Sequence, residues 1–260
     1  MRLRMKAVIL AAGAATRLRP LTESIPKCLL EVGGAPILRR SLEHLAAVDI
    51  DEVVLVTGYR AAQLDAAVAA WRLPLDVASV HNDAFDRTNN GYSTLLARPH
   101  VDGQPFLLMD ADIVCDREVL AAVVTSARAD CLALRPSTTL GAEEMKVVVD
   151  ERGRVRRCAK EADPRTAAGE SIGINRFSAA ASARFFAALE ERVVGRGLVN
   201  EYNDAAVQQM IDDDGYELWP VDIGDWYATE IDTPDDLHAT DVELRRRRTF
   251  TSPCATFTVL

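Results

Sequence analysis

Ala7-Val-Ile-Leu10-Ala-Ala-Gly13-Ala-Ala-Thr16-Arg17-Leu-Arg-Pro-Leu-Thr-Glu-Ser-Ile-Pro-Lys27-Cys-Leu-Leu30 passes from an apolar run straight into a loop of small side chains. Ala7–Leu10 reads as a buried strand. The small residues after Leu10, namely Ala11, Ala12, Gly13, Ala14 and Ala15, let backbone N–H groups come close to a polyphosphate, and Arg17 and Lys27 supply charge that backbone dipoles cannot. Open α/β sheets place their ligands at the carboxyl ends of such strands. A small-residue turn with two solvated cations would explain Gly13 alone, but not the whole run. The string contains neither the GxxxxGK[ST] of a P-loop nor the GxGxxG of a dinucleotide fold.

Working outward, short apolar runs alternate with helical patterns: Ile37–Val48 helix, Val53–Thr57 strand, Ala61–Trp71 helix, Leu75–Val80 strand, Tyr92–Ala97 short helix, Phe106–Met109 strand and a helix over 117–127. Continuous Val/Ile/Leu strands are buried on both faces, and their alternation with helices implies right-handed crossovers and a parallel sheet. The second half departs from this, because Met145–Val149, a turn at Asp150–Gly153 and Arg154–Cys158 read as an antiparallel hairpin. Ser171–Phe177 and Tyr216–Val221 read as strands, and Ala179–Val194 and Asp204–Asp213 as helices. The expected fold is therefore α/β: a doubly wound, mostly parallel, Rossmann-like mixed sheet with a C-terminal antiparallel hairpin and a helical extension.

The chain has 260 residues, 48% of them hydrophobic, enough for one large domain over 1–248, with 249–260 as a flexible tail. Its net charge of -9 opposes broad attraction to nucleic acid or an anionic membrane, so neither is expected as a partner. Five cysteines, odd in number and never spaced CxxC, read as reduced structural thiols. The opening apolar run ends at Ala12, too short for a signal segment, and the protein reads as cytoplasmic. Self-assembly into a homo-oligomer stays open.

The loop resembles the N-terminal signature of the sugar-phosphate nucleotidylyltransferase superfamily, AAGxxxRxxPLTxxxPKxLL. The resemblance implies that Leu10, Ala11, Ala12, Gly13, Ala14, Ala15 and Thr16 hold an NTP. It also implies that Arg17 and Lys27 are catalytic contacts to the phosphates, with Lys27 nearer the reacting α-phosphate. Many members have a second glycine where this chain has Ala14 or Ala15, so the loop has less freedom at positive φ. Residues 5–130 would then form the NTP-binding half and 131–248 the acceptor-binding half.

Leu107-Leu-Met-Asp110-Ala-Asp112 ends an apolar strand with two carboxylates two residues apart, which in extended chain face the same way. Magnesium takes one or two carboxylates together with phosphates and water. Asp116 is expected to be a helix N-cap. Thr233-Pro234-Asp235-Asp236 reads as a cap, Pro at N1 and an acidic first turn, with Asp232 just ahead and Glu230 on the same face of a strand. By the resemblance, Asp112 and Asp232 hold Mg2+, and Asp110 contacts nucleotide or metal.

Asn89-Asn90-Gly-Tyr-Ser93 is turn chemistry when taken alone. With the phrase that follows it, the stretch resembles the bacterial phosphocholine and phosphonate cytidylyltransferases, as do Glu144-Met-Lys146, Cys158-Ala-Lys160-Glu and Glu230-Ile-Asp232-Thr. Asn89, Asn90 and Ser93 are then nucleotide contacts, and Lys160 meets the acceptor phosphate. Lys146 could equally face solvent. Glu201, Tyr202, Asp204 and Trp226 are candidates for an acceptor pocket in which a cationic head meets aromatic and acidic groups. The implied reaction is transfer of CMP from CTP to a small phosphorylated or phosphonylated acceptor with release of pyrophosphate. Alternatives are a sugar- or cyclitol-phosphate nucleotidylyltransferase using UTP, GTP or dTTP, and a non-catalytic nucleotide-binding regulatory homologue.

Overall fold

The apolar run at the head of the small-residue loop forms strand β1 (Lys6–Ala11), and its side chains alternate between two cores. Ala7, Ile9 and Ala11 enter one, Val8 and Leu10 the other. A strand buried on both faces needs cover on both, which is why the chain is doubly wound. The computed structural model describes residues 5–251.

A two-strand hairpin, β2 (Glu31–Val32) and β3 (Ala35–Pro36), leads into α1 (Ile37–Ala47), β4 (Glu52–Thr57), α2 (Ala61–Trp71) and β5 (Asp76–His81). Short helices α3 (Asn90–Leu96) and α4 (Arg98–Val101) precede β6 (Phe106–Asp110), β7 (Ile113–Cys115) and α5 (Arg117–Thr125). The second half contains β8 (Cys131–Pro136), β9 (Lys146–Val149), β10 (Val155–Ala159), β11 (Gly169–Phe177), α6 (Ala179–Glu190), α7 (Asp204–Asp214), β12 (Trp219–Asp222), β13 (Ala228–Glu230) and α8 (Pro234–Thr251).

Strand β1 lies parallel to β4 and β6, and β4 parallel to β5. Beyond β6 the sheet turns antiparallel. There β11 pairs antiparallel with β6 and β8 and the hairpin β9–β10 attaches to the start of β11, while β12 joins β8 in parallel. Helices α1 and α5 cover one face through Leu38, Leu42, Leu45, Val119, Leu120 and Val123. Helices α6 and α7 cover the other, where Phe177 stacks between Phe106 and Phe185 with ring centroids 4.9 and 4.5 Å apart.

The expected architecture is therefore present, with differences in detail. Strand β8 is interior yet carries no period-two signal, because Cys131–Leu134 are all buried and Arg135-Pro136 follow at once. Strands β7 and β13 were too short to read; they pair only with each other, through Ala228–Cys115 to Glu230–Ile113. The late strand expected over Tyr216–Val221 is β12, which spans Trp219–Asp222. Helix α8 continues to Thr251, into the stretch expected to be tail, while residues 252–260, with Cys254, lie outside the described residues. The other four cysteines are free and buried, and burial pushes the Cys28 and Cys115 thiols up to about 12. No described helix is long and apolar enough to cross a membrane.

Candidate active site

The loop after β1 is held open by its own chain. Ala15 adopts a left-handed conformation (φ 45°), one that β-carbon-bearing residues reach only at a cost. Its carbonyl accepts the Thr22 hydroxyl at 2.8 Å, and the Tyr59 hydroxyl donates to the Thr22 and Glu23 carbonyls. This constraint answers the alanine-for-glycine substitution: a side-chain bond and a tyrosine brace hold the backbone where a glycine would have been permissive.

Two adjoining pockets meet at the carboxyl ends of β1 and β6. Leu10, Ala11, Ala12, Gly13, Ala15, Lys27, Asn89, Asn90, Ser93, Asp110 and Asp112 line the first, together with Pro26, Cys28, Phe85 and Thr88. Ala14 and Thr16 belong to the loop but lie outside this lining. Asn90, Asp110 and Asp112 also border the second pocket, which makes the two one cleft.

Asn89 caps α3 by accepting the Asn90 N–H, and Asn90 Oδ1 accepts the Asn203 N–H at 2.9 Å. Ser93 Oγ receives the buried Asn82 amide at 3.0 Å. At Gly91 a β-carbon would sit 2.8 Å from the Glu201 carbonyl, so glycine lets α3 dock on the 199–203 segment. These residues thus join the two pockets as well as line them.

At the junction, Lys27 Nζ stands 2.5 Å from Asp112 Oδ2 and 3.1 Å from Asp232 Oδ1, and Arg17 Nη2 stands 2.9 Å from Asp232 Oδ2. Four groups separated by up to 215 positions thus converge on one point. The β7–β13 ribbon accounts for it, since it ties the chain after Asp112 to the chain before Asp232, closed by the Ile231 N–H on the Asp112 carbonyl at 3.1 Å. A capping box holds the other side: Asp236 Oδ2 accepts the N–H groups of Asp232 and Thr233 while Thr233 Oγ1 accepts that of Asp236.

Burial works to lower the Lys27 pKa, but Asp112 and Asp232 outweigh it and hold the ammonium above its ordinary value. Burial, then Asp112, Glu230 and Asp204, push Asp110 well above the carboxylate range. Glu230 opens on the cleft, yet the cleft walls desolvate it and Asp112, Asp232 and Glu170 crowd it, raising its pKa to about 8. Negative charge is therefore in excess here.

Asp112 Oδ1 is buried and takes no hydrogen bond from the described residues, which suits an oxygen kept for a cation. Among the described residues no three His, Cys, Asp or Glu are grouped to hold a metal by themselves. Asp112 and Asp232 nevertheless fit magnesium, which fills the rest of its shell with phosphate oxygens and water.

The second pocket holds nine carboxylates against three cations, Arg17, Arg135 and Lys160. Asp204 lines it, and burial raises its pKa to about 6. Lys160 Nζ lies 3.3 Å from Glu143 and 5.4 Å from the Tyr202 ring centre. Two expectations are corrected. Trp226 packs on the core beside Ile223 and Ala228 instead of lining the pocket, and the Glu201 carboxylate is spent on Arg192, at 2.8 and 2.9 Å, outside the lining. Asp116 sits at the start of α5 as expected, but its carboxylate receives Tyr227 N–H and Arg247. Arg135, Glu143, Glu144, Glu170 and Thr229 line the pocket unforeseen, because cross-strand neighbours leave no local spacing to find.

The MobA-like NTP transferase domain model matches residues 7–193. The CMP-5'-(3-aminopropyl)phosphonate synthase of Streptomyces rubellomurinus is 33% identical over 91% of this chain and 38% of its own length. The choline-phosphate cytidylyltransferase of Streptococcus pneumoniae is 36% identical over 42% of this chain and 44% of its own. The chain thus spans less than half the length of these curated relatives in the aligned stretches. Among solved structures, the inositol-1-phosphate CTP transferase from T. maritima superposes with a TM-score of 0.78 at 22% identity, over 96% of this chain and 99% of that one. The S. pneumoniae CTP:phosphocholine cytidylyltransferase superposes at 0.75 and 22%, over 93% and 99%. At that identity the likeness is one of fold.

Proposed function

The chain belongs to the MobA-like NTP transferase family, and from that membership we propose that it transfers CMP from CTP to a small phosphate or phosphonate acceptor and releases pyrophosphate. The observation that carries the proposal is the convergence of Arg17, Lys27, Asp112 and Asp232 at the mouth of the phosphate loop. A protein that only bound nucleotide would have no chemical need to hold two carboxylates there against a lysine.

In the proposed reaction an acceptor oxygen attacks the α-phosphorus, a new P–O bond forms, and the bond to the β-phosphate oxygen breaks with its electrons leaving on pyrophosphate. Asp112 and Asp232 would hold magnesium, which would supply Lewis-acid polarisation of the phosphates. Lys27 neutralises charge that grows at the α-phosphate and the leaving group, and Arg17 does so nearer the solvent side. The alanine-rich loop offers N–H groups to the phosphates, and Asn89, Asn90 and Ser93 offer amide and hydroxyl groups to the nucleoside. Lys160 meets the acceptor's phosphate or phosphonate. Tyr202 and Asp204, with the carboxylates around them, offer a cationic head an aromatic face and opposite charge.

Pyrophosphate release measured with CTP, UTP, GTP and dTTP against phosphocholine, 2-aminoethylphosphonate and sugar 1-phosphates tests this. CTP with an aminoalkyl or choline acceptor is expected to give the highest kcat/KM. A sugar 1-phosphate turned over better, with any NTP, refutes the acceptor reading.

A further inference from the structure

Lys146 is 2% exposed. Burying an ammonium is costly unless polar groups replace its water. Lys146 Nζ donates to the Lys160 carbonyl at 2.6 Å and to the Glu144 carbonyl at 3.2 Å. It therefore clasps the two chain segments that border the acceptor pocket. In the sheet Lys146 stands opposite Glu170, and Glu170 opposite Arg135. Arg135 Nη2 donates to Glu170 Oε1 and its Nη1 to the Ala228 carbonyl at 2.7 Å, in the strand that leads to Asp232. Directly opposed residues of antiparallel strands share a face, so the three charged side chains form one row beneath the pocket. One end of the row fixes Lys160; the other fixes the approach to Asp232.

We propose that Lys146 is a positioning residue that sets the place of Lys160 by holding its carbonyl together with that of Glu144. This rests on the reading of Lys160 as the contact to the acceptor phosphate. Lys146 lies outside the linings of both pockets and acts through Lys160, so its loss falls on the acceptor and not on the nucleotide. Lys146 itself touches neither.

The test is steady-state pyrophosphate release by the full chain with CTP and 2-aminoethylphosphonate or phosphocholine. Lys146→Met should raise the acceptor KM by about tenfold while the CTP KM stays within about twofold, and Lys146→Arg, which keeps the charge and donors, should recover most of that loss. Because Lys146 acts through Lys160, adding Lys146→Met to Lys160→Ala should cost less than about twofold more. Equal rises in both KM values, or additive losses, overturn the proposal. Should Lys146→Met fail to fold, Lys146→Gln, a neutral polar chain too short to hold both carbonyls, must show the same split. Hydrogen exchange reads the clasp without activity: amides of 143–145 and 160–162 should exchange faster in Lys146→Met, with α2 unchanged. No change there also overturns it. If wild type turns over no acceptor while the exchange result stands, the proposed function fails and the clasp does not.

Discussion

Replacing Lys27 by Met removes the cation that lies between Asp112 and Asp232, and its consequences can be worked from three distances. With the ammonium gone, the carboxylates face each other about 5 Å apart, and at an effective dielectric of about 20 their repulsion is about 3 kcal/mol. The side chains are 16–32% exposed, so water screens part of this and about 1–2 kcal/mol remains as lost stability, or a Tm about 3–8 °C lower for a domain of this size. Turnover should fall by about 100- to 1,000-fold, the usual cost of one preorganised charge at a reacting phosphoryl or acyl oxygen. Magnesium separates this account from a plain stability defect. Because the tethered ammonium no longer competes for the dicarboxylate, millimolar Mg2+ should raise the Tm of Lys27→Met more than that of wild type. The Lys27 pKa is raised, so its contribution is whole below the ordinary lysine value of 10.5 and is lost only as pH climbs through the higher folded one. Between pH 6 and 9 the wild-type difference should therefore change only as Glu230 titrates near pH 8, since Lys27 favours its charged form. Differential scanning fluorimetry and pyrophosphate release measure both. Equal Mg2+ shifts in the two proteins, or equal losses in kcat and NTP affinity, would refute the reasoning.

Asp112→Asn and Asp232→Asn should each lower kcat by orders of magnitude with a normal circular dichroism spectrum, since an amide keeps the shape but not the anionic oxygen; near-normal turnover at saturating Mg2+ removes that residue from the metal site. Asp204, with a folded pKa of about 6, loses its charge as pH falls through that value, so the acceptor KM should rise below pH 6 while the NTP KM holds. In Asp204→Asn that added rise should vanish, leaving only the acceptor's own titration, and an unchanged profile excludes Asp204 from the pocket. The same raised pKa means that ionised Asp204 destabilises the fold between its unfolded value of 3.8 and about 6, so Asp204→Asn should gain in Tm over wild type as pH rises across that window. Gly173 has φ 69°, and a β-carbon there would lie 2.8 Å from Asp110 Oδ2. Gly173→Ala should cost about 1–3 kcal/mol and disturb turnover through Asp110, as Tm and kcat will report.

The sequence carried the parallel half of the fold because burial on both faces is written into continuous apolar strands such as Ala7–Leu10, and the loop because small residues and two cations are contiguous. Asp112 was legible for the same reason, sitting at the end of such a strand. Asp232 was legible mainly by resemblance, since two three-residue strands hold it in place and neither is long enough to show a period. The acceptor pocket was read least well. Trp226 and Glu201 were chosen as residue types, but type does not tell which way a side chain points; one packs on the core and the other is neutralised by Arg192. Lys146 shows the converse. Alternation along β9 left it free to face solvent, yet its ammonium is enclosed and donates to the Glu144 and Lys160 carbonyls.

A chain of net charge -9 that must bind a polyanion meets an apparent contradiction, which the cleft resolves by pairing its cations in advance. Arg17 rests on Asp232, Lys27 on Asp112 and Asp232, and Lys160 on Glu143. An arriving nucleotide with its metal can exchange partners at each point, phosphate replacing carboxylate beside the cation while the carboxylate turns to the metal. Each of these cations keeps an anionic partner throughout, so the desolvation penalty that burying a lone cation would bring is avoided. The exchange needs both halves together. Nucleotide without metal would find the cations already held, and metal without nucleotide would meet a lysine in its place. The arrangement therefore expects NTP and Mg2+ to bind with positive coupling, each tightening the other, and calorimetric titration of CTP should give a lower Kd with Mg2+ than with EDTA. In Lys27→Met that coupling should shrink, because metal alone then binds an uncontested dicarboxylate; coupling equal to that of wild type would show that Lys27 and the metal do not share the site.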